Sequence, residues 1–294
     1  MEAWLDKRGR SLKSKVSSVF PAKYKLELDV TPHLDEEDTG YYHSTIGILR
    51  WAVELGRMDI TCEVSQLAAF SAAPMQGHLE AVLHVFTYLK RHDRSRMVCD
   101  AAYFDWSPLD EPDWTDFYPG AKEAAEKLIP PDMPKPRGKV VCVTTYEDSD
   151  HAGDQVTRRS RTGVLIFCNR TPVVWYSKKQ TSIETSSFGS EFSALKTAVE
   201  LTEGIIYKLR MMGVPVELPA IVLGDNQSVI SNSSVPSSML QKKSNSIAYH
   251  YVRERAAMGL VGMVYVHTTD NLADMLTKSQ PGSVRKPLVG RILH

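Results

Sequence analysis

This 294-residue sequence has few cysteines, no long apolar run and no net charge, and each absence excludes something. Cys62, Cys99, Cys142 and Cys168 are its only cysteines, and they lie far apart without paired spacing. Neither a zinc site nor a disulfide framework is suggested by that pattern. Cys142 and Cys168 fall inside apolar strand-like runs and are expected to be buried thiols. A reducing, intracellular setting follows, whether a cytoplasmic particle or the nucleus. No apolar run approaches the roughly 20 residues of a membrane span, and no signal-peptide pattern opens the chain. The basic stretch 7-KRGRSLKSK-15 has the composition of a localisation signal but reads as surface sequence. The zero net charge hides a split. Residues 1–136 carry 16 Lys/Arg against 22 Asp/Glu, and residues 137–294 carry 19 against 13, so the halves stand at −6 and +6. The positive half has the sign expected for contact with a phosphate backbone, although the excess is modest.

With 43% hydrophobic residues the chain can bury a proper core in one or two domains. Residues 42–57 read as a helix, and Leu79, Val82, Leu83, Phe86 and Leu89 mark one face of another over 78–90. His78, His84 and His92 do not align on one face and support no metal site. Residues 101–138 are rich in Pro, Asp and Trp, which predicts a linker with its boundary near 136. Beyond it, 139–147, 163–169 and 172–179 read as three antiparallel strands. A long helix over 190–212 follows, with Phe192, Leu195, Val199, Ile206 and Leu209 on one side. A strand at 220–224, helices near 226–232 and 246–258, a strand at 262–267 and a short helix at 270–278 complete the pattern.

Four acids stand at the mouths of these elements. Asp148 ends the first strand, Glu191 opens the long helix, Asp225 ends the strand at 220–224, and Asp274 sits in 271-NLADMLTK-278. Taken singly, an Asp after a strand is usually a turn residue or helix N-cap, and a Glu in a first helical turn complements the dipole. Gathered together, such carboxylates would repel one another unless cations lay between them. Oxygen-only ligands point to Mg²⁺ or Mn²⁺ rather than zinc. A carboxylate cluster of this kind suits displacement at a phosphodiester.

The wording around these acids carries a resemblance. The blocks 148-DSDHAGD-154, 158-RRSRTG-163, 175-WYSKKQ-180, 186-SSFGSEF-192, 224-GDNQSVI-230, 249-YHYVRE-254 and 271-NLADMLTK-278 resemble, in the same order, the C-terminal part of a copia-type retrotransposon polyprotein. Seven ordered blocks are far more specific than an isolated motif. Upstream, 41-YYHSTIGILRWAVELGRMDI-60 with 78-HLEAVLHVFTYLK-90 resembles the region where such a reverse transcriptase ends. The resemblance therefore implies an α/β fold, an RNase H-like mixed sheet with flanking helices, preceded by a small mainly helical thumb or connection region. It divides the chain into a reverse transcriptase remnant (1–100), a linker (101–138), an RNase H-like domain (139–280) and a C-terminal tail (281–294). The family's palm aspartate pair, in Tyr-Val/Met-Asp-Asp, has no counterpart here, so no polymerase activity is expected.

What the family does is then an expectation for this chain. The resemblance implies hydrolysis of the RNA strand of RNA–DNA hybrids during reverse transcription, with the hybrid and the rest of a reverse transcriptase as candidate partners and no membrane involved. Two Mg²⁺ ions, or Mn²⁺ in their place, would be held by Asp148, Glu191, Asp225 and Asp274, with Asp148 between both ions and Asp150 in reserve. RNA-like groove dimensions and 2′-hydroxyls would mark the strand to be cut. Arg158, Arg159, Arg161, Lys178 and Lys179 are candidate phosphate contacts, and solvated surface is at least as common a role. Asn226 and Gln227 could donate to sugar or base edges, while capping the helix they open is the plainer role. Trp175 could stack near substrate or belong to the core. His267 is the candidate for product release. The sequence departs from the family at Ser244, where His is common, and at Ser149 between the two aspartates. Two readings stay open beside the enzyme: a catalytically lapsed or domesticated hybrid-binding remnant, and a DNA nuclease or resolvase of the same fold.

Overall fold

The computed structural model describes the chain apart from residues 1, 8–11, 13–15, 22–23, 105–111, 127–131, 133–134 and 241–242. Most of the basic stretch 7–15, and part of the stretch read as a linker, lie outside the described residues. The chain divides into two compact units, residues 1–98 with 154–156 and 278–294, and residues 99–153 with 157–277.

The first unit is helical. Its helices are α1 (Glu2–Lys7), α2 (Glu36–Glu54), α3 (Thr61–Ala68) and α4 (Gln76–Arg91). Asp35 starts α2 by accepting from the Asp38 amide at 2.7 Å, which satisfies one of the orphan donors of a first turn. Tyr42, Ile46, Leu49 and Val53 recur on the buried side of α2, and Leu79, Val82 and Val85 do the same on α4. His78 and His84 both bond backbone carbonyls, those of Leu26 and Ser18, which gives these histidines anchoring roles.

The second unit is built on a five-stranded sheet. Helix α5 (Ala121–Glu126) precedes β1 (Val141–Asp150), β2 (Arg161–Cys168) and β3 (Thr171–Lys179). Then come α6 (Ser187–Met211), β4 (Val216–Gly224), α7 (Gln227–Ser234), α8 (Ser246–Ala257) and β5 (Val261–Tyr265). The chain then returns to the first unit, where the remaining helix is α9 (Gly282–Val289). The strand order is β3-β2-β1-β4-β5. A loop over 151–160 joins β1 to β2 and a two-residue turn joins β2 to β3, all three as antiparallel neighbours, whereas β4 and β5 pair in parallel after helical crossovers. This is the mixed sheet with flanking helices that the resemblance implied.

Strand β4 begins at Val216, earlier than the 220 read from sequence. Its register with β1 slips between Cys142 and Thr144, opposite the stretch that holds Pro219, which has no amide to donate. One face of the sheet packs Val143, Val164, Ile166, Val222 and Met263 against Phe192, Leu195, Ala198 and Val199 of α6. The stretch read as a linker is also engaged. Asp100 N donates to Thr171 Oγ1 at 2.8 Å, and Tyr103 Oη donates to Val140 O at 2.9 Å. Trp114 and Ala121 pack on Ala257. The alanine-rich, proline-free run 121–126 explains why a helix forms inside an otherwise proline-rich segment. Among the described residues, no helix is long and apolar enough to cross a membrane.

Candidate metal centre

The C-terminal end of β1 delivers Asp148, and alternation along the strand fixes its side. Asp148 stands directly opposite Gly163 of β2. A Cβ on Gly163 would lie 2.7 Å from Thr277 Cγ2, 2.9 Å from Ala273 O and 2.9 Å from Leu276 Cβ. Glycine thus lets the short 3-10 helix Leu272–Leu276 lie against this face of the sheet. Glu191 comes from the first turns of α6, whose N-cap Ser186 accepts from the Gly189 amide. Asp225 follows β4 directly, and the next residue, Asn226, caps α7 by accepting from Val229 N.

The fold brings three of these carboxylates together. One oxygen each from Asp148, Glu191 and Asp225 lies within 4.8 Å of the others, on residues separated by 43 and 34 positions in sequence. Asp148 is 4% exposed and Glu191 9%. Oxygen-only sites of this kind suit hard divalent cations, which would offset the repulsion among three carboxylates this close.

Asp274 is 5% exposed on the 3-10 helix and is not one of the grouped three. Its segment is fastened to β1 at two points. Asn271 Nδ2 donates to Glu147 O at 2.8 Å while Asn271 Oδ1 accepts from Ala273 N. Thr277 Oγ1 makes a short hydrogen bond to Asp148 Oδ2. Asp150, the reserve ligand, stands against Gly153 and is likewise outside the group of three.

The cationic residues separate by exposure. Arg158, Arg159 and Lys178 are exposed, Lys179 is half-buried, and Arg161 is buried with its guanidinium on Ser177 Oγ at 3.1 Å. Gln227 is exposed and Asn226 performs the capping role. His267 is exposed at the entry to a 3-10 turn, where its Nδ1 accepts from Thr269 N. Trp175 is half-buried on β3. Cys142 and Cys168 are half-buried rather than buried. Burial, and then the neighbouring Glu217 carboxylate, push the Cys142 thiol up to about 12.

Several blocks prove to be fasteners around the site. Gln180, at the end of 175-WYSKKQ-180, donates from Nε2 to Thr162 Oγ1 and to Ser190 O, both at 3.0 Å, and so ties β3 to the start of α6. His151 reaches the same place through Ser190 Oγ at 3.2 Å. In 249-YHYVRE-254, Arg253 is fully buried. It donates to the carbonyls of Asn232, Val235 and Pro236 and packs on the Trp114, Tyr118 and Tyr249 rings. His250 Nδ1 bonds Tyr118 Oη at 2.9 Å. Ser244 bonds the side chain of Asn245, which holds Gly189 O near the start of α6.

One acid beside the site escaped the sequence reading. Glu147 is 1% exposed, and burial, then Glu191, Asp148 and Asp225, hold its carboxyl well above the usual carboxylate range. A signal for it existed. Val143 and Thr145 precede it on the α6-facing side of β1, so period-2 alternation puts an acid at an inward position.

The fold and site define a class: an α/β protein whose mixed sheet gathers a carboxylate group suited to divalent cations at its strand ends. Among the chain's curated relatives are retrovirus-related Pol polyproteins from transposons. It is 24% identical over 241 residues to that of transposon RE1 of Arabidopsis thaliana, covering 82% of this chain and 14% of the relative. It is 26% identical over 285 residues to that of transposon TNT 1-94 of Nicotiana tabacum, covering 94% of this chain and 18% of the relative. The chain thus spans less than a fifth of the length of these two relatives. No protein-family model matches it. Among solved structures, the N-terminal RNase H domain of a Mycobacterium tuberculosis protein aligns at 15% identity and a TM-score of 0.36, over 51% of this chain and 97% of that one. An RNase H1 crystallised with an RNA/DNA hybrid aligns at 17% and 0.36, over 46% and 93%. At such scores the fold rests on the strand order itself.

Proposed function

We propose that this chain carries a ribonuclease H-type hydrolase that cuts the RNA strand of RNA–DNA hybrids during retrotransposon reverse transcription. The observation that carries the reading is the convergence of Asp148, Glu191 and Asp225, from three separate elements, to within 4.8 Å. The relatives' description as Pol polyproteins supplies the setting, because such a polyprotein serves reverse transcription. Asp148, Glu191 and Asp225 would hold Mg²⁺, or Mn²⁺ in its place, and Asp274 stands on the 3-10 helix that covers the same strand end. A two-ion arrangement, with Asp274 serving the second ion, belongs to this proposal. The bound ions would supply an activated water and stabilise the charge that develops on the leaving 3′ oxygen. Thr277 orients Asp148, and Gln180 and Asn245 fix the start of α6 so that Glu191 meets it. Exposed Arg158, Arg159 and Lys178 would bind phosphates. The products are a 5′-phosphate and a 3′-hydroxyl, since water adds to phosphorus as the P–O3′ bond breaks.

The test is cleavage of an end-labelled RNA–DNA hybrid by purified full chain in Mg²⁺ and in Mn²⁺. RNA cutting that disappears in EDTA, and that falls by a factor of 10³ or more in Asp148→Asn, is the expected result, about 4 kcal/mol of lost transition-state stabilisation. Cutting of double-stranded DNA instead would transfer the chain to the resolvase class. Hybrid binding without cutting would leave it a binding module of the same fold.

A further inference from the structure

We infer that Glu147 is a further carboxylate of this cation centre, reaching it from the opposite side of β1. The inference rests on reading Asp148, Glu191 and Asp225 as a cation site. Neighbouring residues of a strand point to opposite faces, so Asp148 turns toward Thr277 while Glu147 turns toward α6. Its partner across the ladder, Val164, belongs to the core packed on Phe192 and Leu195. An acid would be out of place there unless its carboxylate had somewhere to go.

The side chain runs to the end of β4. Glu147 Oε1 occupies the space that a Cβ on Gly224 would need, which places this carboxyl beside the residue that immediately precedes Asp225. Glu147 Oε2 is buried and has no hydrogen-bond partner among the described residues. Glu147 is not itself one of the grouped three, and its carboxyl lies beside the end of β4, the strand that Asp225 directly follows. A buried carboxylate oxygen without a donor among the described residues is costly to leave unsatisfied. A divalent cation held by the grouped carboxylates supplies the missing partner. The purely structural alternative is a neutral acid that fills core volume and takes no part in cation binding.

The two differ in what cation binding loses when the carboxylate is removed without changing its shape. Mn²⁺ is titrated calorimetrically into the full chain, into Glu147→Gln and into Asp148→Asn, and the thermal midpoint of each is recorded in EDTA and in Mn²⁺. Glu147→Gln is expected to keep the EDTA midpoint of the parent or exceed it. It should weaken Mn²⁺ binding at least tenfold and shrink the rise in midpoint that Mn²⁺ brings. A Glu147→Gln protein that folds and binds Mn²⁺ within twofold of the parent would overturn the inference. Glu147→Met, similar in length and without charge, gives the same comparison if the glutamine protein does not fold. Should the parent itself bind no Mn²⁺, or Asp148→Asn bind as well as the parent, the reading of the site falls and takes the inference with it. A loss in Asp148→Asn with none at position 147 sinks the inference alone.

Discussion

At the scale of single residues, the site depends on neutral groups that aim its charged ones. Thr277 is fully buried, and its hydroxyl is shared between Asp148 Oδ2 and Asp274 O, the latter at 3.1 Å. It therefore links the grouped carboxylates to the segment that carries Asp274. Replacing the hydroxyl with a methyl keeps the volume and removes both bonds. Thr277→Val is expected to cost about 1–3 kcal/mol of stability, because a buried carboxylate loses one of its hydrogen bonds. It should also lower kcat for hybrid cleavage by about tenfold or more with KM little changed, the mark of an interaction that matters in the transition state. Steady-state kinetics with a thermal melt would decide it. A rate equal to the parent's would show that Thr277 holds the fold and does not aim the aspartate.

Helices and strands show where sequence reasoning succeeded and where it stopped. The three antiparallel strands and α6 were legible because period-2 and period-3.6 patterns are strong in 139–212. Asp148, Glu191 and Asp225 stood out because each ends or opens such an element, and the ordered motif blocks around them, more than position alone, set them apart from turn and capping residues. Asp274 is different. It lies on a single 3-10 turn, too short to have a period, and its distance from the grouped three depends on how closely that turn lies on the sheet. Nothing in 271-NLADMLTK-278 announces the fitting glycine more than a hundred residues earlier. Glu147 was hidden by its neighbour, since attention to an acid at the end of a strand does not ask which face the preceding acid uses. The fit at Gly163 is testable. A methyl there must displace the backbone at Ala273 as well as two side chains. Gly163→Ala should destabilise the protein by about 1–3 kcal/mol and depress hybrid cleavage, because the displaced turn bears Asp274. Unfolding in urea with a cleavage assay checks both, and an unchanged midpoint would show that the turn yields without cost.

Across the whole chain the placement of charge in the folded units becomes the relevant quantity. By sequence, residues 137–294 carry +6 and residues 1–136 carry −6, but the unit with the carboxylate site, residues 99–153 with 157–277, holds 18 Lys/Arg against 21 Asp/Glu, so attraction for a phosphate backbone must come from its exposed cationic side chains and not from its net charge. Within that portion the buried Arg161 is committed to Ser177, and Arg253 to three carbonyls and three aromatic rings. Neither is placed to neutralise a phosphate. Arg158, Arg159 and Lys178 are exposed, so the phosphate contacts of the proposed hybrid complex should fall to them. Each phosphate neutralised releases condensed counterions, which makes affinity fall as salt rises with a slope close to the number of contacts. Hybrid binding by the full chain, followed by fluorescence anisotropy in Ca²⁺ to suppress cutting, should therefore weaken steeply between about 50 and 200 mM KCl. The triple variant with Gln at positions 158, 159 and 178 should flatten that slope by about 2–3 and weaken binding alike on hybrids of unrelated sequence, because phosphate contacts read no bases. Asp148→Asn, which leaves these cations in place, should keep the parent slope. If the triple variant keeps it too, the phosphates are met elsewhere and these three residues are solvated surface.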